Sequence, residues 1–298
     1  MKTKILILGG EGMLGHTLLN QYLERDDLDV YATIQSTENA DKWFTSIPQD
    51  RLQVGIDAVN FNNIVRACAA IRPNIIINCI GLIEQYPVGN DPSLAISINS
   101  LLPHRISLLC KEANIRMIHI STDGVFDGKK GGYTEKDKVN ISDIYGMTKF
   151  LGEVSYPHCL TLRTSIIGHE LIKKTGLVEW FLSQEEKVGG YTKAIYSGLP
   201  TVELAEIISD YILPNDSLSG ICHVSSEPIS KYDLLKLIAD RYSKKIEIEP
   251  YDEPVIDRSL DSSIFCSVTG YHPPSWTELV NKMFLDYNKR MERKNVQS

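Results

Sequence analysis

Ile5-Leu6-Ile7-Leu8-Gly9-Gly10-Glu11-Gly12-Met13-Leu14-Gly15 is the stretch on which the fold turns. Four consecutive apolar residues make a short strand, glycines follow at once, and a helical pattern opens at Met13. Each glycine has its own task in such a turn. Gly9 lets the chain reverse tightly, and Gly12 removes a side chain so that backbone N–H groups, those of Met13 and Leu14 among them, can approach a pyrophosphate. Gly15 lets the helix lie close to the sheet. The helix dipole contributes about 0.3–1 kcal/mol toward an anion, so the backbone hydrogen bonds carry most of the affinity. A glycine turn serving packing alone is the alternative. Its position, first strand and first helix of an alternating chain, favours dinucleotide binding.

Outward from this turn, strand-like runs alternate with amphipathic stretches. Lys4–Leu8, Asp29–Thr33, Asn74–Cys79, Arg116–Ser121 and Cys159–Arg163 read as strands, and Met13–Leu23 and Pro103–Glu112 as helices. Unbroken apolar runs such as Ile75-Ile76-Ile77 suit a parallel sheet covered on both faces. The expected fold is α/β, a Rossmann-type doubly wound parallel sheet. After about Ile166 the rhythm loosens, with Gly189-Gly190, Gly198-Leu199-Pro200 and His272-Pro273-Pro274 punctuating short elements. Helices are expected at Lys231–Tyr242 and Trp276–Arg290. Residues 1–165 then form the dinucleotide-binding domain, with a returning segment at about 199–224. Residues 166–198 and 225–298 form a smaller, partly interleaved substrate lobe.

Cofactor choice is expected at the end of the second strand, where an NAD site carries an acidic residue about 20 residues on. Here stand Ala32-Thr33-Ile34-Gln35-Ser36. With no carboxylate to repel a 2′-phosphate, and with the hydroxyls of Thr33, Ser36 and Thr37 to bind it, NADP(H) is favoured over NAD(H). No Arg stands ready to neutralise the phosphate. Asp57 is a candidate for the adenine edge, with a turn-capping role as the alternative.

Ile144-Tyr145-Gly146-Met147-Thr148-Lys149 carries the chemistry. Tyr145 and Lys149 stand four apart and so share a helix face. Ile144, Met147, Leu151 and Val154 mark a separate packing stripe. A phenol beside a cation has its phenolate favoured. Tyr145 would protonate a carbonyl oxygen as hydride reaches the carbon, and Lys149 would also hold the nicotinamide ribose. Upstream, His119-Ile120-Ser121-Thr122-Asp123 is a strand ending in hydroxyls, and such ends face the ligand crevice of a doubly wound sheet. Thr122 would hydrogen-bond the substrate carbonyl.

These elements resemble the extended short-chain dehydrogenase/reductases, and within them the dTDP-4-dehydrorhamnose reductase family. Ser121-Thr122-Asp123-Gly124-Val125-Phe126 is similar to that family's Ser-Thr-Asp-x-Val-Phe, and Tyr145-Gly-x-Thr-Lys149-x-x-Gly-Glu153 to its active-site helix. Arg163-Thr164-Ser165, Gly198-Leu-Pro200-Thr201 and Arg258-Ser-Leu-Asp261 extend the likeness along nearly the whole chain. The resemblance implies a catalytic trio of Thr122, Tyr145 and Lys149, and a homodimer built on paired helices. It also implies reduction of a keto group, at C4, on a nucleotide-activated deoxysugar in surface-polysaccharide precursor synthesis. After the fourth strand the chain departs from the family pattern. Asn78, Cys79, Ile80 and Gly81 would line the nicotinamide, and Glu84 and Gln85 the sugar. Asn99 matches an Asn that shapes the active-site helix, with a plain helix-surface amide as the alternative. Asp123, Trp180 and Arg258 are further candidates for substrate, Trp180 by stacking or else as a packing residue, and Arg258 through a fork suited to a diphosphate or else in an ion pair with Asp257 or Asp261. His169 and Glu170 are also substrate candidates, whereas His119 and His223 read as core residues.

Composition narrows the partners. Hydrophobic residues make up 43% and charged residues 23%, with a net charge of −7. No basic cluster suits a nucleic acid, and the Lys289-Arg290 to Lys294 run is too short for one and reads as a solvated helix end. No apolar run reaches the roughly 18 residues of a membrane span, and Ile5–Leu8 is too short for a signal peptide, so cytoplasmic residence is expected. Cys68, Cys79, Cys110, Cys159, Cys222 and Cys266 form no Cys-x-x-Cys pair and read as free thiols. No His/Asp/Glu spacing suggests a metal. Two alternatives remain: a nucleotide-sugar epimerase with tightly bound NAD, and a non-catalytic regulatory subunit of the same fold. Dehydration is disfavoured, because Gly124 stands where dehydratases carry a Glu.

Overall fold

The computed structural model describes residues 2–83, 91–141, 143–172 and 174–295. The chain divides into two compact units. The first comprises Met1–Val125, Ile141–Arg163 and Asn215–Cys222, and the second Phe126–Asn140, Thr164–Pro214 and His223–Ser298.

Along the first unit run β1 (Thr3–Leu8), α1 (Met13–Tyr22), β2 (Leu28–Ile34), α2 (Thr37–Trp43), β3 (Leu52–Val54), α3 (Phe61–Ile71) and β4 (Ile75–Asn78). There follow α4 (Pro92–Ala95), a π-helical turn (Ile96–Leu101), α5 (Leu102–Ala113), β5 (Arg116–Ile120), α6 (Ile144–Leu151) and β6 (Cys159–Arg163). The sheet order is β3-β2-β1-β4-β5-β6, with Gly220–His223 beside β6. All pairs from β3 to β6 are parallel. Ile5–Leu8 and Ile75–Asn78 are buried throughout, as a sheet covered on both faces requires. Leu6, Leu8, Ile64, Ile106 and Met117 share one core. The helices start and stop on local chemistry. Asn60 and Asp91 cap α3 and α4 with their side chains, and Arg72 and Asn114 end α3 and α5 in the left-handed conformation.

Register sets the site. Leu8 pairs with Asn78, and Asn78 with His119. The carboxyl ends of β1, β4 and β5 are therefore level. The strand order reverses between β1 and β4, the switch point at which open α/β sheets bind ligands.

The second unit has small sheets, a parallel pair Lys187–Tyr191 with Glu247–Tyr251 and the trio Ile229–Ser230, Ala194–Tyr196 and Ile256–Asp257. Its longest helix is Trp276–Asn295. Two stretches fall on a different side of the division from the one expected. Residues 126–140 belong to this unit because Asp257 N donates to Gly128 O and Tyr133 N to Ser259 O. Helix Thr201–Ile207 belongs here too, because buried Glu203 accepts the Tyr271 hydroxyl at 2.9 Å and pairs with Lys282. The segment returning to the first unit is thus Asn215–Cys222. Among the described residues no helix is long and apolar enough to cross a membrane.

Candidate active site

Three glycines of the opening turn serve three different needs. Gly9 has φ +83°, and a Cβ there would lie 3.1 Å from Ile80 Cγ1. A Cβ on Gly15 would collide with the Gly9 carbonyl. Gly12 is different: it is exposed, its φ of −70° and ψ of 162° suit any residue, and its Cβ would meet nothing nearer than Gly9 O at 3.4 Å. The chain itself does not require a glycine there, so the missing side chain leaves room for something outside it. Beside that space α1 begins with no side-chain cap and no acid in its first turn. The N–H groups of Met13, Leu14 and Gly15, in its first turn, have no partner within the helix. Bare backbone and an uncapped helix start fit a pyrophosphate.

The end of β2 is built differently from its expected role. Thr33 is buried, and its hydroxyl accepts the Gly9 N–H at 2.9 Å while its carbonyl accepts Gly10 N–H at 3.0 Å. It is a strut of the turn. Ser36 caps α2, accepting from Asn39 N at 3.1 Å. Asp57 is exposed and closes the turn before α3 by accepting from Val59 N at 3.0 Å. A residue not singled out from the sequence stands here instead. Glu11 Oε1 accepts from Gln35 N and from Asn39 Nδ2, each at 3.1 Å. Its signal was its place as the one acid inside the glycine turn.

After β4 the chain runs along the turn toward the catalytic candidates. Asn78 is buried, with Nδ2 3.1 Å from His119 Nδ1 and Oδ1 accepting from Ile80 N at 3.2 Å. Cys79 N donates to Leu8 O at 3.0 Å, and burial pushes its thiol up to about 12. A Cβ at Gly81 would lie 3.6 Å from Asn99 Oδ1 and 3.8 Å from Lys149 Nζ. Lys149 is buried and donates to Ile120 O at 2.6 Å. Burial draws its ammonium down to about 8 against the opposing pull of Glu153. Thr122 Oγ1 accepts from Gly124 N at 3.0 Å and donates to Asp123 Oδ1 at 3.2 Å. A Cβ on Gly124 would sit 3.2 Å from Thr122 Oγ1 and 3.5 Å from Tyr145 Cε1, so these two side chains flank one glycine.

The motif residues around Tyr145 place α6. Asp143 caps it, accepting from Gly146 N at 2.7 Å. Gly146 and Gly152 have no room for a Cβ, which would strike the carbonyls of Gly124 and Asn99. The π-helical turn, a feature frequent at functional sites, carries Asn99. Its amide donates to Thr148 Oγ1 at 3.2 Å and clasps Leu82 through N and O. Ser100 Oγ donates to Thr148 O at 2.8 Å. Behind the site, buried Glu153 accepts from Ser121 Oγ at 2.7 Å and pairs with Arg163. Because Gly146, Thr148 and Lys149 take the inward face, Met147 and Leu151 point outward. They are exposed, and the expected stripe is covered only at its ends, where Ile144 is half-buried and Val154 is buried.

Trp180, Arg258, His169 and Glu170 lie in the second unit. Trp180, on helix Leu177–Ser183, is exposed. Arg258 Nε is buried and has no hydrogen-bond partner among the described residues. The carboxylates of Asp257 and Asp261 cap turns at Ser259 N and Ser263 N. His169 is buried and held between Glu179 and the Tyr242 hydroxyl, and Glu170 accepts from Thr175 N and Gly176 N. Glu84 and Gln85 lie outside the described residues.

Known proteins resemble this chain over most of its length. It is 26% identical to a dTDP-4-dehydrorhamnose reductase of Aggregatibacter actinomycetemcomitans, across 80% of this chain and 78% of that one. It is 29% identical to the methionine adenosyltransferase 2 subunit beta of Danio rerio, across 58% and 57%. A crystal structure of a Bacillus anthracis dTDP-4-dehydrorhamnose reductase in complex with NADP shares the fold, with a TM-score of 0.78 at 21% identity over 96% of this chain and 100% of that one. The pattern of the RmlD substrate binding domain is matched by residues 3–288, and the chain belongs to that family.

Proposed function

We propose that the protein is an NAD(P)H-dependent reductase of the extended short-chain type, acting on a keto group, at C4, of a nucleotide-activated deoxysugar in surface-polysaccharide precursor synthesis. One juxtaposition carries the reading. Thr122 and Tyr145 flank Gly124, Lys149 lies against Gly81, and Ile80 lies against Gly9 of the open glycine turn. The names of two relatives, a dTDP-4-dehydrorhamnose reductase and a dTDP-4-keto-6-deoxy-D-glucose reductase, agree with this chemistry.

A bound nicotinamide dinucleotide would supply the hydride. Gly9, Gly12, Met13, Leu14 and Gly15 would hold its pyrophosphate, and the loop Asn78–Gly81 would border the nicotinamide. Thr122 turns its hydroxyl from Asp123 to the keto oxygen. Tyr145 gives its phenolic proton to that oxygen as negative charge develops there, so that C=O becomes CH–OH. Lys149, positive below about pH 8, favours the phenolate left behind and holds ribose hydroxyls. In the second unit, Arg258 has an Nε without a partner among the described residues to offer a diphosphate, and Trp180 an exposed ring for stacking. The decisive assay incubates a panel of 4-keto nucleotide sugars with NADH or NADPH and follows the reduced-nicotinamide absorbance. Cofactor consumed in proportion to product supports the reductase, and product formed without net consumption marks an epimerase.

Keeping Lys149 charged costs stability. Its folded value near 8 lies below its ordinary 10.5, so the folded state sheds the proton first and stability rises with pH across that window. At pH 7 the cost is about 3 kcal/mol. Lys149→Met is expected to raise the melting temperature at pH 7, the difference narrowing toward pH 10, while dinucleotide affinity and turnover fall. Melting curves at both pH values check it.

We also propose a homodimer through the outer faces of the π-helical turn, α5 and α6. Leu101, Leu108, Met147 and Leu151 are exposed, Leu108 by 60%, and such apolar surface marks interaction sites. Leu108→Glu combined with Leu151→Glu is expected to shift the sedimentation coefficient from dimer to monomer.

A further inference from the structure

We infer that Glu11 sets the dinucleotide preference, and that the site takes NAD(H) over NADP(H). The inference rests on the reductase reading above and concerns the adenosine end of the same site. In NAD sites an acid at the end of the second strand holds the ribose 2′-hydroxyl. β2 ends without one, in Ile34-Gln35-Ser36, and from the sequence alone that absence favours a 2′-phosphate. The structure fills the gap from the other side. Glu11 leaves the glycine turn, and its Oε1 lies 3.1 Å from the backbone N of Gln35, the first residue after β2. A second bond, 3.1 Å from Asn39 Nδ2, fixes the carboxylate there. Oε1 is thus occupied, while Oε2 can accept from ribose hydroxyls.

Of the three hydroxyls that the sequence offers a phosphate, two are committed elsewhere, which leaves the exposed Thr37. The Thr33 hydroxyl is buried against Gly9 N, and the Ser36 hydroxyl caps α2. The one cation on α2, Lys42, lies over the Trp43 ring at 5.2 Å, and Glu38 and Asp41 add negative charge to the same short helix. A dianionic 2′-phosphate would meet a fixed carboxylate, a repulsion that grows in a half-buried setting. A ribose diol there meets an acceptor instead.

The test titrates the purified protein with NADH and with NADPH, following nicotinamide fluorescence without any sugar. NADH is expected to bind about tenfold tighter or more, and Glu11→Gln to lessen or reverse that ratio by about tenfold, mainly by tightening NADPH. The amide oxygen of Gln still accepts from Gln35 N, so the melting temperature should hold. If it does not, Glu11→Thr is read in the same way. Wild-type protein that binds NADPH as tightly as NADH overturns the inference and leaves the reductase reading standing. A ratio unmoved by either variant removes Glu11 as its cause and also overturns the inference. Binding of neither dinucleotide overturns both.

Discussion

Tyr145→Phe is expected to lower turnover of the keto sugar by about 10²–10⁴-fold, the range for loss of a general acid, while leaving dinucleotide affinity nearly unchanged. The phenylalanine ring keeps the contact with Gly124, since the neighbouring atom is Cε1 and not the hydroxyl. α6 also keeps its anchors at Asp143, Gly146, Thr148 and Gly152, none of which the substitution alters. The substitution takes away the proton that would go to the keto oxygen. The pair Tyr145→Phe and Lys149→Met separates two jobs. The first should depress turnover alone, and the second should depress turnover and dinucleotide binding together. Steady-state rates alongside direct binding titrations check both. A wild-type rate from Tyr145→Phe would mean that the proton comes from another group.

The parallel strands were legible because burial on both faces forces continuous apolar runs, as in Ile5–Leu8 and Ile75–Ile77. Elements that bury little were not. α2 buries only Ala40, and β3 is three residues long with one buried. The second unit uses strands of two residues, such as Ile229–Ser230, which leave no periodicity to detect. The catalytic candidates were readable for the same local reason. Tyr145 and Lys149 share one helix turn, and Thr122 follows directly on a strand. Glu11 was not readable in this way. It lies 24 residues from Gln35, and only the positive-φ turn at Gly9 and the parallel register of β1 with β2 carry it to that strand end. The motif glycines fall between these cases. Gly146 and Gly152 could be recognised by resemblance, but the carbonyls they must avoid belong to residues 22 and 53 positions away.

The glycine turn offers a sharper experiment, because the same added methyl group should do opposite things three residues apart. Gly15→Ala places its Cβ on the Gly9 carbonyl, which is backbone and cannot swing aside. Either α1 lifts from the sheet or the turn opens, and β1 carries four fully buried residues into that turn. A loss of about 3 kcal/mol or more is expected, the upper part of the range for overpacking, seen as an earlier urea midpoint. Gly12→Ala keeps an allowed backbone and meets only Gly9 O at 3.4 Å. The methyl group restrains the unfolded chain and gives up a mildly favourable helix start, two small effects of opposite sign. Stability should therefore stay nearly constant. Dinucleotide affinity should fall about tenfold or more, since the methyl occupies the approach to the uncapped N–H groups of α1. If Gly12→Ala binds either dinucleotide as the wild type does, the pyrophosphate does not rest on this turn, and the open surface at Gly12 has some other cause.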